Sequence, residues 1–326
     1  MPQPTSPLSP TELAAAAREA DHRIRPHVRE TPVDRSPALE AGDCTVFLKL
    51  ENLQHTGSFK LRGVVNTLLS LSEGERARGV VAASSGNHGA ALAYALGVLG
   101  ARGTVFVPED AAASKIDAIR RYGAEVRIEG EDCVLTEHLA RQHAAATGAV
   151  YVSPYNDARV VAGQGTVGVE LDRQLDPLDA VFVALGGGGL SSGLAAALKD
   201  RRPDVEVIAC SPENSRVMHE SIRAGRVLDL PSKPTLSDGT AGGVEADTIT
   251  FDLCRQLIDR YTLVSEDAIV QAMRRVIGEQ HLLIEGAAGV AVAAFLQESD
   301  RWRGKTVAIV LCGANIGLGT LRQVLR

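Results

Sequence analysis

Short runs of β-branched and other apolar residues recur along the chain, with helical stretches between them. VFLKL (46–50), GVVAA (79–83), TVFVP (103–107), AEVRI (124–128), AVFVAL (180–185), VEVIAC (205–210), YTLV (261–264) and TVAIVL (306–311) read as strands. Ser58 reads as the N-cap of a helix running to about Leu71, and further helices start near Asn87, Gly189 and Glu266. Others cover 114–123, the stretch ending near Ala146, and about 316–325. Buried apolar strands alternating with helices predict an α/β fold with parallel sheets and helices on both faces. Ligands of such sheets sit outside the carboxyl ends of the strands. The run of about four strands in 79–152 predicts a small domain, 71–152, set within a larger one made of 1–70 and 153–326.

Composition narrows the function classes. The 326 residues carry a formal net charge of -6 without a Lys/Arg cluster, so a nucleic-acid partner is not expected. The opening MPQPTSPLSP has neither a basic nor an apolar leader segment and reads as a short flexible lead. No apolar run approaches the roughly 20 residues of a membrane span, so a cytoplasmic protein with no membrane partner is expected. The five cysteines form no CxxC pair and their number is odd, which argues against a disulfide framework or a zinc cluster.

Four motifs fall at strand ends. GGGGL (Gly186–Leu190) joins AVFVAL to a helix, and its glycines let several N–H groups point at one anion, with a phosphate as the natural guest. It also reads as a plain tight turn, or as a dinucleotide loop. The latter usually has an acidic residue ending the next strand, where this chain has Cys210-Ser211. In TGSFKLRG (Thr56–Gly63), Lys60 lies in the first turn of a helix, where the helix field disfavours ammonium and suits Schiff-base chemistry. A solvated helix lysine is the commoner reading of Lys60 alone. SSGNHG (Ser84–Gly89) offers hydroxyls, an amide and free N–H groups at another helix start, suited to a substrate carboxylate. VLCGANIG (Val310–Gly317) places Cys312 at a strand end, where it is either structural or a contact for a bound ring.

In the order GSFKLRG, SSGNHG, GQGT, GGGGL, EGAAGV and CGANIG, the chain resembles the fold-type II pyridoxal-phosphate enzymes, and within them the serine/threonine dehydratase and serine racemase branch. The resemblance runs from about Thr31 to the C-terminus. It implies two three-layer parallel-sheet domains with the cofactor in the cleft between them. It implies that Lys60 carries pyridoxal 5'-phosphate, with Phe59 against the ring and Asn87 at the ring hydroxyl. Gly186, Gly187, Gly188, Gly189 and Leu190 would cup the phosphate, and Cys312 would face the pyridine nitrogen. Gly239 and Glu285 would border the cofactor. Ser84, Ser85, Gly86, Asn87 and His88 would line the substrate carboxylate.

The implied activity is that of an ammonia-lyase. Lys60 removes the α-proton of serine, threonine or a related amino acid, the β-hydroxyl leaves as water, and hydrolysis yields a 2-keto acid and ammonia. Ser85 stands where dehydratases of this branch commonly have Ala and serine racemases have Ser, so an amino-acid racemase using Lys60 and Ser85 is the alternative. SDGTAGGVE (237–245) is similar to the hydroxyectoine-utilisation dehydratases, a further alternative. Relatives with a cation site have carboxylates where this chain has Ser211 and Val217, so no metal is expected. The family also implies a homodimer.

Overall fold

The computed structural model describes residues 8–326, so most of the opening lead lies outside the described residues. The apolar runs form two sheets. The larger has the order β1-β2-β10-β7-β8-β9, with β1 Val33–Arg35, β2 Thr45–Lys49, β7 Ala180–Ala184, β8 Glu206–Pro212, β9 Arg260–Val264 and β10 Thr306–Val310. The smaller has the order β5-β4-β3-β6, with β3 Val80–Ala83, β4 Gly103–Val107, β5 Glu125–Ile128 and β6 Val150–Tyr151. Every neighbouring pair is parallel except β1–β2, whose antiparallel edge was not anticipated because a three-residue strand leaves no periodic trace.

The core follows from the apolar runs. All five residues of β7 are buried, as a strand inside a parallel sheet requires. The helix Gly286–Gln297, GAAGVAVAAFLQ, is apolar nearly all round and packs on β7, β8, β9 and β10. Phe182 meets Phe295 and Trp302 edge to face there, with ring centroids 5.6 and 5.7 Å apart.

The helix that starts at Lys60 is placed by two devices. A Cβ at Gly163 would lie 2.6 Å from the Gly63 Cα, so two glycines let the helices Lys60–Leu69 and Ala158–Gln174 touch backbone to backbone. Beside that contact lies a fully buried ion group. Arg62 donates to Glu51 (2.7 Å) and to Glu170 (2.7 Å), and Lys49 donates to Glu170 (2.5 Å), every side chain at 0% exposure. The half-buried Arg25 adds a third cation on Glu170 (3.0 Å), and this mutual pairing makes the desolvation of the buried charges tolerable.

The Ser58 cap does not form. The helix begins at Lys60 behind Phe59, without a side-chain cap, and the buried Ser58 hydroxyl has no partner. Ser58 instead forms an isolated antiparallel bridge with Gly313, just beyond β10, which takes its backbone away from the cap position.

Candidate active site

Three helix starts converge near the carboxyl ends of the two sheets, linked through Pro154, Tyr155 and Asn315. The surface helices Pro10–Ile24, Glu73–Arg78 and Glu266–Gln280 are capped by Ser9, Ser72 and Ser265. Those starting at Lys60, Asn87 and Gly189 carry no side-chain cap. Their first N–H groups therefore remain free for a guest.

The glycine loop leaves β7 and enters the Gly189 helix with Gly188 at φ 84°, a left-handed conformation that a side chain resists. A Cβ at Gly187 would lie 2.5 Å from the Tyr155 ring, and one at Gly188 would lie 2.8 Å from the Cys254 sulfur. The loop is thus a pure backbone cradle, suited to an anion.

Lys60 reaches out of its helix to the Pro154 carbonyl oxygen, 2.9 Å away. Burial lowers its amine to about 8, against the opposing pull of Cys312 and Glu285. The amine is therefore available unprotonated near neutral pH. Phe59 donates its N–H to the Cys312 carbonyl (3.1 Å), which ties the lysine turn to the end of β10. Cys312 is buried at 1% exposure, and burial keeps its thiol protonated.

Glu285 closes the far side. Asn87 Nδ2 donates to both of its oxygens at 2.9 and 3.1 Å, and the Asn315 N–H donates to one at 3.0 Å. Burial nevertheless raises its carboxyl to about 7. Gly239 lies against it, since a Cβ there would be 3.4 Å from Oε1. Asn315 also donates to the Asn87 side-chain oxygen (2.6 Å) and to the Thr56 carbonyl (2.9 Å), joining three motifs through one amide.

In the Ser84–Gly89 turn, Ser84 Oγ accepts from the Gly86 N–H at 3.1 Å, which shapes the entry to the helix. Ser84, Ser85, Gly86 and Asn87 are half-buried at that helix start. His88 differs from its neighbours. Its ring is 2% exposed, Nε2 donates to the Val152 carbonyl (2.8 Å), and burial lowers its pKa to about 3. A neutral imidazole so engaged offers no ring N–H to a carboxylate, so His88 has only its backbone N–H to contribute.

Sequence reasoning gave no role to Pro154, Tyr155 or Asn156, and quoted Glu245 and Asn315 only as members of longer motifs. The signal was available in principle, because SPYN (153–156) follows the carboxyl end of β6 as the other motifs follow theirs. The Ser211 hydroxyl donates to the Leu185 carbonyl at 3.0 Å, and Val217 has no side-chain oxygen. Among the described residues no cluster of metal-ligating side chains occurs, and no helix is long and apolar enough to cross a membrane.

Residues 24–313 match the family described as pyridoxal-phosphate dependent enzyme. An L-threonine ammonia-lyase of Thermotoga maritima is 40% identical over 94% of this chain and 77% of its own length. A serine racemase of Arabidopsis thaliana is 36% identical over 93% of both chains. The structure of maize serine racemase superposes with a TM-score of 0.90 at 33% identity, covering 96% of each chain.

Proposed function

The chain belongs to the pyridoxal-phosphate dependent enzyme family, and on that premise we propose that it is an ammonia-lyase converting L-threonine, L-serine or a related β-hydroxy amino acid to a 2-keto acid and ammonia. The observation that carries the reading is the lysine with its amine lowered to about 8, set in one cleft with an uncapped glycine loop. The relatives named for threonine ammonia-lyase activity support the substrate class.

The residues fit the cofactor. Among the described residues the N–H groups of Gly186, Gly187 and Gly188 donate to no protein atom, and a Cβ at Gly187 or Gly188 would run into the Tyr155 ring or the Cys254 sulfur, so only glycine lets the loop keep the path that leaves those groups free for a phosphate. Lys60 would hold the aldehyde carbon, Phe59 would flank the ring, and Gly189 and Leu190 would complete the phosphate cup. Asn87, Gly239, Glu285 and Cys312 would border the ring. When bound, pyridoxal phosphate draws into its ring the electron pair released at the substrate Cα.

The chain's own groups supply the rest. Lys60, in its neutral form, takes the α-proton. Ser84, Ser85 and the free N–H groups of the Asn87 helix start orient the substrate carboxylate. Cys312 stays a neutral thiol, so the residue that would face the ring nitrogen is not a carboxylate and would not hold a proton there. That arrangement favours prompt loss of the β-hydroxyl over a long-lived carbanion.

Ser85 carries a second reading. Beside the similarity to serine racemases, a hydroxyl at this position would give racemisation a proton donor on the face opposite Lys60. Incubating the holoenzyme with L-serine and L-threonine, and measuring keto acid, ammonia and D-amino acid together, separates the two. Racemisation faster than keto-acid release would overturn the lyase assignment.

The same proposal takes 71–152 as a small domain closing on 1–70 and 153–326, in a cytoplasmic homodimer. A molecular mass in solution equal to one chain would exclude the dimer.

A further inference from the structure

One short turn touches both Lys60 and the glycine loop. In Ser153–Asn156, Ser153 Oγ accepts from the Asn156 N–H at 2.9 Å and shapes the turn. Pro154 offers its carbonyl to the Lys60 amine at 2.9 Å. The ring of Tyr155 packs under the glycine loop, filling the space beside Gly187 and Gly189. Its hydroxyl accepts from the Glu245 N–H at 2.9 Å. Asn156 then holds the segment that follows, donating to Glu245 Oε2 (2.9 Å) and accepting from the Ile249 N–H (3.0 Å). That segment returns to the loop, where Thr250 Oγ1 donates to the Gly187 carbonyl at 2.6 Å.

Glu245 carries this assembly across the cleft. Its carboxylate also accepts from Arg141 at 3.0 Å, on the helix Cys133–Thr147 that packs against β3 and β4 of the smaller sheet. Arg141 is itself oriented by Glu137 (2.7 Å) and lies over the Tyr151 ring, 4.2 Å from its centroid. From smaller sheet to phosphate cradle there is a continuous set of contacts: Arg141, Glu245, Tyr155, Gly187. We propose that Arg141 and Glu245 are positioning residues that hold Tyr155 against the glycine loop, so that retention of the cofactor phosphate depends on an ion pair bridging the two sheets.

The inference rests on the cofactor assignment and is independent of which amino acid is turned over. The test uses holoenzyme and reads cofactor release into an excess of a scavenging apoenzyme, together with the phosphorus NMR line of the bound phosphate. Arg141→Met and Glu245→Gln should each speed release about five- to tenfold and shift the line, with less than additive effect in the double variant. The charge-reversed pair Arg141→Glu with Glu245→Arg should release the cofactor more slowly than Arg141→Glu alone, because it restores the attraction though not the Asn156 and Glu137 contacts. Tyr155→Phe, which keeps the ring and removes the acceptor of the Glu245 N–H, should act in the same direction. Arg127→Met, which breaks the Arg127–Glu125 pair on the same smaller sheet, should leave both readouts unchanged. Unchanged release and an unmoved line in Arg141→Met and Glu245→Gln would overturn the proposal, as would strict additivity in the double variant. Turnover of an unexpected substrate would leave these readouts untouched, so failure of the functional assignment stays separate.

Discussion

Asn87 and Glu285, 198 residues apart in the chain, are joined by two hydrogen bonds from a single amide, at 2.9 and 3.1 Å. The amide favours the ionised carboxyl, yet burial outweighs it, and the group moves from its ordinary 4.5 to about 7. The folded chain therefore keeps a proton that the unfolded chain has already released between those values. The resulting stabilisation is complete below about 4.5 and lost as pH rises through about 7. Glu285→Gln, an uncharged analogue of the protonated acid, should gain stability relative to the parent over that window, by at most about 3 kcal/mol. Denaturant titrations of the apoenzyme at pH 5 and pH 8 measure this, and a difference that does not grow with pH would refute it.

Lys60→Ala should lower turnover by at least about a thousandfold, because the same amine is assigned both the cofactor linkage and the α-proton. A pH dependence should accompany this. Only the neutral amine attacks a carbonyl carbon, and the amine sits at about 8. Reattachment of pyridoxal phosphate to the apoenzyme should therefore speed up with rising pH and level off above about 8. A rate flat from pH 6 to 9 would argue against Lys60 as the attachment point.

Gly188→Ala should weaken cofactor binding by about tenfold or more, and should cost the fold about 1–2 kcal/mol from the φ of 84° alone. The added methyl also meets the Cys254 sulfur at 2.8 Å. Equilibrium dialysis of the cofactor and thermal unfolding read the two effects separately. Wild-type affinity in this variant would remove the loop from the phosphate site.

Cys312→Ser should keep activity within about threefold, since both residues present a neutral hydrogen-bonding group at the same place. Cys312→Asp should slow keto-acid release by about tenfold or more, because a carboxylate there would hold a proton on the ring nitrogen. Steady-state rates of the two variants decide the matter, and a harmless Asp would break the supposed contact with the ring.

Ser85→Ala should abolish any production of D-amino acid while costing dehydration about 1 kcal/mol through a weaker carboxylate contact. Chiral chromatography of the products gives the first quantity and kcat/KM the second. Loss of dehydration as complete as in Lys60→Ala would show that the hydroxyl takes part in elimination itself.

Much of this site could be read before folding was considered, because its motifs act through backbone. Glycines at 186–189 and the Ser84–Gly89 run announce free N–H groups by their residue types, and the helix starts at Asn87, Gly189 and Glu266 agree with the structure. What escaped depended on distant partners. The positions of Arg62, Glu51 and Glu170 look locally like ordinary charged ones, and only the fold places all three at 0% exposure. Ser58 had the right residue type for a cap but was drawn instead to Gly313. The helix Ala158–Gln174 was passed over because GQGT was read as a motif and not as one face of a helix. Glu245 and Arg141 lie 104 residues apart, beyond any local pattern.

The buried ion group around Arg62 also bears on the order in which the chain matures. Arg62 and Glu170 are 108 residues apart, and Lys49 and Glu170 are 121 apart. As the polypeptide leaves the ribosome, the smaller sheet is synthesised in full before Glu170 appears. Until then Arg62 and Lys49 have only Glu51 between them, and the helix bearing Lys60 lacks the partner helix on which it seats. In ribosome-bound chains stalled before residue 170, Lys60–Leu69 should accordingly exchange amide hydrogen faster than in the finished chain. The helix that carries Lys60 therefore gains its full set of buried ion pairs only when the polypeptide is more than half made.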